Sequence, residues 1–300
     1  MLELTQELTV AFKDKRVSLS LPSLRLDSES SLKESLQETQ KVKKSGLTFA
    51  PEAGTQRLRD VINKGVTEAD LMRTVNDAFQ GGWSSIKLYF MIGLPTETYE
   101  DLNGIGDLAD KVVKAYFDVP KAQRAKGLRV VCSASSFVPK PFTPFQWAPQ
   151  DTLEEIKNKQ AHLRQALKIK GVTFNWHEPE LSFVEACFAR GDRRLGKVLY
   201  RAWRLGCRLD GWTEHFHFDT WMQAFKDCDL DPSFYANRQR SKDELLPWEF
   251  IDAGVTKAFL WKENERAQAG AVTPDCRKGC HGCGLKRFEG VCVDADDRCL

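Results

Sequence analysis

Five cysteines crowd the last 25 residues of this chain: Cys276, Cys280, Cys283, Cys292 and Cys299. Cys276, Cys280 and Cys283 fall within eight residues, on a backbone interrupted by Gly279, Gly282 and Gly284. Three thiolates so spaced can close around one metal, because glycine lets the chain wrap tightly and point amides at sulfur. With Cys292 as a fourth ligand the set suits zinc or an iron–sulfur cluster, and the spacing does not separate the two. His281 lies inside the triad and reads as a solvated imidazole more than as a ligand. His215 and His217 flank Phe216 and would share a face on a strand, but with no third ligand nearby they read as surface or core histidines. Arg190-Gly191-Asp192-Arg193-Arg194 has the charge for a phosphate or RNA contact, and reads first as a solvated loop that breaks a helix. Of eight tryptophans, five lie at 203–261. They could stack bases, but their helical spacing assigns most of them to core. Cys132, Cys187, Cys207 and Cys228 are scattered and read as small buried hydrophobes.

The composition bounds what these groups can serve. A 42% hydrophobic fraction can fill a core and 29% charged residues can cover it. A net charge of +2 argues by itself for neither nucleic acid nor membrane. No apolar run approaches the roughly 20 residues of a membrane span, and the first residues carry acids and no apolar signal core. The expected compartment is the cytoplasm, where the cysteines stay reduced and the tail suggests metal more than disulfides.

The elements that must position any site alternate strand and helix. Residues 2–13 have helical spacing at Leu4, Leu8 and Phe12. Val17–Leu21 alternates and ends at Pro22, a first strand, and a polar helix fills about 29–44. Gly46–Ala50 is a second strand, ended by Pro51. Helices follow at about 54–63 and 68–80, the latter capped by Thr67. Ile86–Ile92 is a third strand, with Ile86, Leu88, Phe90 and Ile92 on one face, closing at Gly93-Leu94-Pro95. Thr98-Tyr99-Glu100-Asp101 resembles a capping box for a helix to about 117. Leu128–Phe137 is a fourth strand, and Gly171–Trp176 a fifth after a helix opening at Asp151. Beyond 178, Ser182 caps a short helix, Leu195–Trp203 is amphipathic, Asp219 caps another helix, 229–247 is loop-like and 248–266 mixed. Strands each followed by a helix imply a parallel α/β sheet whose loops share one rim.

Several segments resemble a known superfamily. Ser18-Leu19-Ser20-Leu21-Pro22-Ser23-Leu24-Arg25, Gly46-Leu47-Thr48-Phe49-Ala50-Pro51-Glu52-Ala53-Gly54-Thr55 and Lys87-Leu88-Tyr89-Phe90-Met91-Ile92-Gly93-Leu94-Pro95-Thr96-Glu97 resemble later strands of a radical S-adenosylmethionine barrel. Ser136–Trp147 resembles the last strand end. With the tail Asp275–Gly284, the order is similar to that of the cobalamin-binding-type radical S-adenosylmethionine proteins, over about 15–300. The spacing Cys-x3-Cys-x2-Cys is that of the superfamily's cluster motif. There, however, it follows the first barrel strand, and at 276–283 it follows every strand. The two βα units that open the family's barrel, the first of them bearing the cluster triad, have no counterpart in these 300 residues, and neither has the cobalamin domain. Phe142 stands where the family's loop leads one to expect histidine.

The resemblance implies a partial radical-SAM-type TIM-like (β/α) barrel at 1–178, a mostly helical region at 179–266 and a cysteine-rich metal-binding tail at 267–300. It implies reductive cleavage of S-adenosylmethionine at a 4Fe–4S cluster, giving a 5′-deoxyadenosyl radical that modifies an unknown substrate. Glu52 matches the polar position that approaches the ribose or amino group of S-adenosylmethionine; its alternative is a salt bridge with Arg57 or Arg59. Ile92 and Gly93 match the adenine contact, against plain core packing. Ser133, Ser135 and Arg25 point to the same rim, with structural hydrogen bonds as the alternative. The chain is expected to be inactive alone, as a fragment, a split-gene product or a remnant, with a separate polypeptide supplying the missing barrel half. The competing expectation is a non-catalytic metal-knuckle module that binds RNA or a partner protein.

Overall fold

The computed structural model describes residues 46–288, together with residues 7–8 and 11–12, which are helical. The strand expected at Val17–Leu21, the helix at about 29–44, Arg25, Cys292 and Cys299 lie outside the described residues. Four strands, β1 (Leu47–Glu52), β2 (Ser85–Ile92), β3 (Arg129–Ser136) and β4 (Val172–Trp176), lie side by side in that order in one sheet. β1 runs parallel to β2, and β3 to β4. The connections carry α1 (Gln56–Val61) and α2 (Glu68–Gln80), then α3 (Tyr99–Asp118), then α4 (Leu153–Ala166). This is the α/β order of a partial (β/α) barrel, in which each helical crossover returns the chain to the same end of the sheet.

Alternation gives the sheet two unlike faces. Leu47 and Phe49 of β1, Ile86, Leu88, Phe90 and Ile92 of β2, and Val130, Cys132 and Ala134 of β3 are buried together with Leu71, Val75 and Phe79 of α2 and Leu102, Ile105 and Val112 of α3. Each Val, Leu, Ile or Phe among them contributes roughly 1.5–3 kcal/mol by leaving water. α2 starts where the sequence says it should. Asp70 N donates to Thr67 Oγ1 at 3.1 Å and Thr67 N to Asp70 Oδ2 at 2.9 Å, a complete capping box. β1 differs from expectation: it runs through Pro51 to Glu52. The register shifts between Phe49 and Glu52 and leaves Pro51 without a pairing partner on β2, so proline's missing N–H costs no ladder bond to that strand.

Among the described residues the chain divides into two compact units. The first holds the chain through Ile92 with Thr96–Ser135 and Asn158–Trp176; the second holds Gly93–Pro95, Ser136–Lys157 and the chain from His177. The second unit is helical: α5 (Pro179–Ala189), α6 (Leu195–Arg204), α7 (Phe218–Asp227), α8 (Pro232–Ala236) and α9 (Lys257–Gln268). Phe183, Cys187, Val198, Ala202, Trp221, Phe225 and Tyr235 form one core there. Trp147, Leu246, Trp248 and Leu260 form another. Among the described residues no helix is long and apolar enough to cross a membrane.

Several expectations for this unit change. α5 opens at Pro179 with Glu178 as its cap, and Ser182 is buried inside it. α7 begins one residue before Asp219, and Thr213–His215 is a 3-10 turn, so His215 and His217 do not share a strand face. Arg190 is not solvated. It is fully buried and donates to the carbonyls of Tyr235 at 2.7 Å, Ala236 at 2.6 Å and Arg238 at 2.6 Å. Tyr235 O and Ala236 O end α8, where carbonyls have no partner within their own helix, and Arg238 lies two residues beyond it. Burial pushes the Arg190 guanidinium down to about 9, helped by Arg240 and Arg238. Trp221 and Trp248 are core, as expected, but Trp203 and Trp212 are exposed.

Candidate functional site

The sheet face turned away from α2 and α3 carries the first unit's chemistry. Alternation puts Thr48 and Ala50 of β1 on it, with Lys87, Tyr89 and Met91 of β2, Ser133 and Ser135 of β3, and Thr173 and Asn175 of β4. Register brings Thr48 beside Lys87, and Ser133 beside Asn175. Every one of these residues is half-buried or exposed. Lys87 Nζ donates to Tyr89 Oη at 2.6 Å and stands 4.3 Å from the centre of its ring. Ser135 Oγ reaches Phe90 O at 3.5 Å, a weak bond that leaves the hydroxyl available. Such a face offers hydroxyls, an amide and an ammonium in rows set by the pleat.

Glu52 ends β1 at φ +66, half-buried, past the register shift and beside Phe90 of β2. Its ion-pair partner is Lys64, at 2.9 Å from Oε1, in place of the Arg57 or Arg59 named by sequence. Arg59 donates to Ala53 O at 2.8 Å, and Arg57 serves another carboxylate.

That carboxylate is Asp101, which ties the loops after β1 and β2 together. Oδ1 accepts from Thr55 Oγ1. Oδ2 accepts from Arg57, from Thr98 N at 2.8 Å and from Thr98 Oγ1 at 2.9 Å. Arg57 also donates to Thr96 O at 2.9 Å. Burial works to raise the Asp101 pKa, but the donors Arg57, Thr55 and Thr98 together hold it below the usual carboxylate value. A second pair, Lys159 with Glu97 at 2.8 Å, braces the same loop, and the Glu97 side chain is 1% exposed. Gly54 sits where backbone meets backbone: a Cβ there would lie 2.7 Å from Gly104 C, and one on Gly104 2.8 Å from Gly54 O. Glycine at both positions allows the loop after β1 to touch the first turns of α3.

The expected site residues therefore separate. Ser133 and Ser135 share the polar face, and Glu52 stands at the end of β1 past the register shift, beside Phe90. Ile92 points the other way and is fully buried in the core. Gly93 follows it at φ +79, and a Cβ there would press on Asp151 Oδ2 at 2.8 Å, so the turn requires glycine. Lys87, Tyr89 and Met91 were not singled out from sequence, although the alternation that buried Ile86, Leu88 and Phe90 already put them on the opposite face.

The cysteine-rich tail is described through Phe288. Cys280 is disulfide-bonded, while Cys276 and Cys283 are free thiols. Among the described residues no group of three or more His, Cys, Asp or Glu side chains is placed to hold a metal ion. Phe142, in the loop after β3, is held at φ +58, where a bulky side chain is strained. Its N–H donates to Gln146 Oε1 at 3.1 Å, and its ring packs beside the Trp147–Trp248 core.

Comparison with known proteins bears on this geometry. The model of the Radical SAM superfamily matches residues 1–109, a stretch that contains β1, β2, Glu52 and the start of α3. The chain is also similar to the uncharacterized protein MJ0966 of Methanocaldococcus jannaschii, with 34% identity over 193 residues. That alignment takes in 64% of this chain and 39% of the archaeal protein, so the chain spans about two-fifths of its relative's length.

Proposed function

We propose that this chain supplies later strands of a radical S-adenosylmethionine barrel and holds S-adenosylmethionine on the polar sheet face. One observation carries the reading: Ser133 and Ser135 share the face away from α2 and α3, with half-buried Glu52 at the end of β1, within a parallel sheet whose first half matches the Radical SAM superfamily. The residues suit the molecule. Glu52 Oε1 serves Lys64, and Oε2 can accept from a ribose diol or an α-ammonium. Ser133 and Ser135 add hydroxyls, and Tyr89 adds a ring face. The Asp101 clamp keeps the loop after Glu52 in register with α3, so the carboxylate is held before the ligand arrives.

A 4Fe–4S cluster supplies the electron for cleavage of S-adenosylmethionine in this superfamily. The described residues do not fit it: the spacing Cys-x3-Cys-x2-Cys occurs only at 276–283, after every strand, and among the described residues no three His, Cys, Asp or Glu side chains gather to hold a metal. The cluster ligands are therefore assigned to a segment outside these 300 residues, in the same polypeptide or in a separate one. The finer placement, among cobalamin-binding-type proteins, rests on the resemblance of Ser136–Trp147 and of the tail. For the tail, zinc or an iron–sulfur centre on Cys276, Cys280, Cys283 and Cys292 follows from spacing once Cys280 is reduced. Metal analysis of the reduced chain tests this: one centre per chain, lost in Cys276→Ser, is the expected result.

Equilibrium dialysis with labelled S-adenosylmethionine tests the main reading. Glu52→Ala should weaken binding about tenfold or more, since a hydrogen bond to a charged group is worth roughly 1.5–3 kcal/mol. Lys64→Ala should leave binding within about threefold, because it removes only a half-exposed ion pair. Equal affinity in wild type and Glu52→Ala would refute the assignment.

A further inference from the structure

We propose that the exposed side of α6 and the loop after it, residues 193–212, is a docking surface for single-stranded nucleic acid. The whole chain carries +2, yet between Asp192 and Asp210 stand Arg193, Arg194, Lys197, Arg201, Arg204 and Arg208, a local excess of four positive charges. Two of these cations are neutralised. Arg194 pairs with Asp192 at 2.7 Å and Arg201 with Asp227 at 2.6 Å. Asp210 is occupied by the indole N–H of Trp221 at 3.1 Å. Arg193, Lys197 and Arg204 are exposed, and among the described residues no carboxylate pairs with them.

A basic helix face alone is an ordinary solvated surface. The rings beside it are not. Tyr200 is 61% exposed, Trp203 48% and Trp212 63%, while Leu195, Val198 and Ala202 already anchor α6 in its core. Tyr200 and Trp203 stack with ring centres 5.8 Å apart and planes at 29°. Arg208 lies 4.8 Å over Trp203, held there by bonds to Trp203 O and Cys207 O. At about 100° per residue, Trp203 and Tyr200 form one strip along α6, and Arg204 and Lys197 form the next. A single strand needs this order, with bases on the rings and phosphates along the cations.

Two other occupants fit less well. A duplex hides its base faces and would leave the rings idle. An anionic bilayer would take the rings into its apolar boundary, but Arg208 keeps a charge on the Trp203 face that would have to enter. The surface lies wholly in the second unit and is independent of the proposed S-adenosylmethionine site. Its test uses neither S-adenosylmethionine nor a cluster, so the two readings fail separately.

Fluorescence anisotropy of the whole chain with labelled 12-nucleotide RNA and DNA strands, the matching duplex, and phosphatidylglycerol-containing vesicles decides the matter. Either single strand should bind, the duplex at least tenfold more weakly. Log affinity should fall against log salt with a slope of about −2 to −3, from three or four phosphates at roughly 0.7 each. Tyr200→Ala with Trp203→Ala should cost about tenfold or more at unchanged slope, as stacking on lost rings predicts. Arg193→Glu, Lys197→Glu and Arg204→Glu together should abolish binding. These side chains are exposed, and circular dichroism should show each variant folded. Equal binding of duplex and single strand with no effect of the ring substitutions would overturn the proposal. So would absence of binding at 50 mM salt, or uptake onto vesicles without binding of either strand.

Discussion

Asp101→Ala should destabilise the first unit by about 3 kcal/mol at pH 7. The magnitude follows from what the carboxylate holds. It accepts four bonds, from Thr55, Arg57 and twice from Thr98, and Asp101 is 2% exposed. Two of the donors have an easy alternative: the Arg57 side chain is 47% exposed and keeps its bond to Thr96 O, and the Thr98 hydroxyl faces water. Thr98 N and the Thr55 hydroxyl lose their acceptor in a partly buried place, at roughly 1–3 kcal/mol each. Arg57→Ala removes only the exposed partner and should cost about 1 kcal/mol or less. The pH dependence has a definite sign. The folded pKa of Asp101 is lowered, so its contribution is complete above the unfolded value near 4 and is lost as pH falls through the folded value. Urea unfolding followed by circular dichroism, from pH 7 down to 2.5, measures all three quantities. The gap between wild type and Asp101→Ala should be constant to about pH 5 and shrink below about pH 4. A gap under about 1 kcal/mol at pH 7, or Arg57→Ala as costly as Asp101→Ala, would refute the clamp.

Three further outcomes follow from the packing. Gly54→Ala should cost about 3 kcal/mol or more, since backbone atoms block its Cβ, whereas Gly65→Ala, at φ +67 with open space around it, should cost only about 1 kcal/mol in urea unfolding. Arg190→Met should destabilise the second unit by about 3 kcal/mol, read by tryptophan fluorescence, because the carbonyls of Tyr235 and Arg238 lose the Arg190 donor and Ala236 O keeps only Gln150 N. Burial pushes the Cys132 and Cys187 thiols up to about 12, so a thiol reagent at pH 8 should modify Cys276 and Cys283 quickly and those two only on unfolding.

Local pattern carried the first unit well. The alternation of Ser85–Ile92 and the boxes at Thr67 and Thr98 are decided by residues within a turn or two, and they folded as read. What escaped the sequence is set by distant partners. Asp101 was legible as a helix cap, but Thr55 and Arg57, which make it a clamp, lie 46 and 44 positions away. Arg190 sits in a string of charges that reads as solvated, and carbonyls 45 to 48 residues on bury it. Pro51 reads as a strand end, which a register shift overrules. Trp203 has the helical spacing of a core residue, but α6 already buries Leu195, Val198 and Ala202, leaving the ring outside.

The central claim is that this chain positions S-adenosylmethionine while the cluster ligands come from elsewhere. Anaerobic reconstitution with iron, sulfide and a reductant, followed by assay of 5′-deoxyadenosine, tests it most directly. The account predicts no product from residues 1–300 alone, and product when a polypeptide carrying a Cys-x3-Cys-x2-Cys segment is supplied. Robust 5′-deoxyadenosine from these residues alone would contradict it and would return the cluster to Cys276, Cys280 and Cys283.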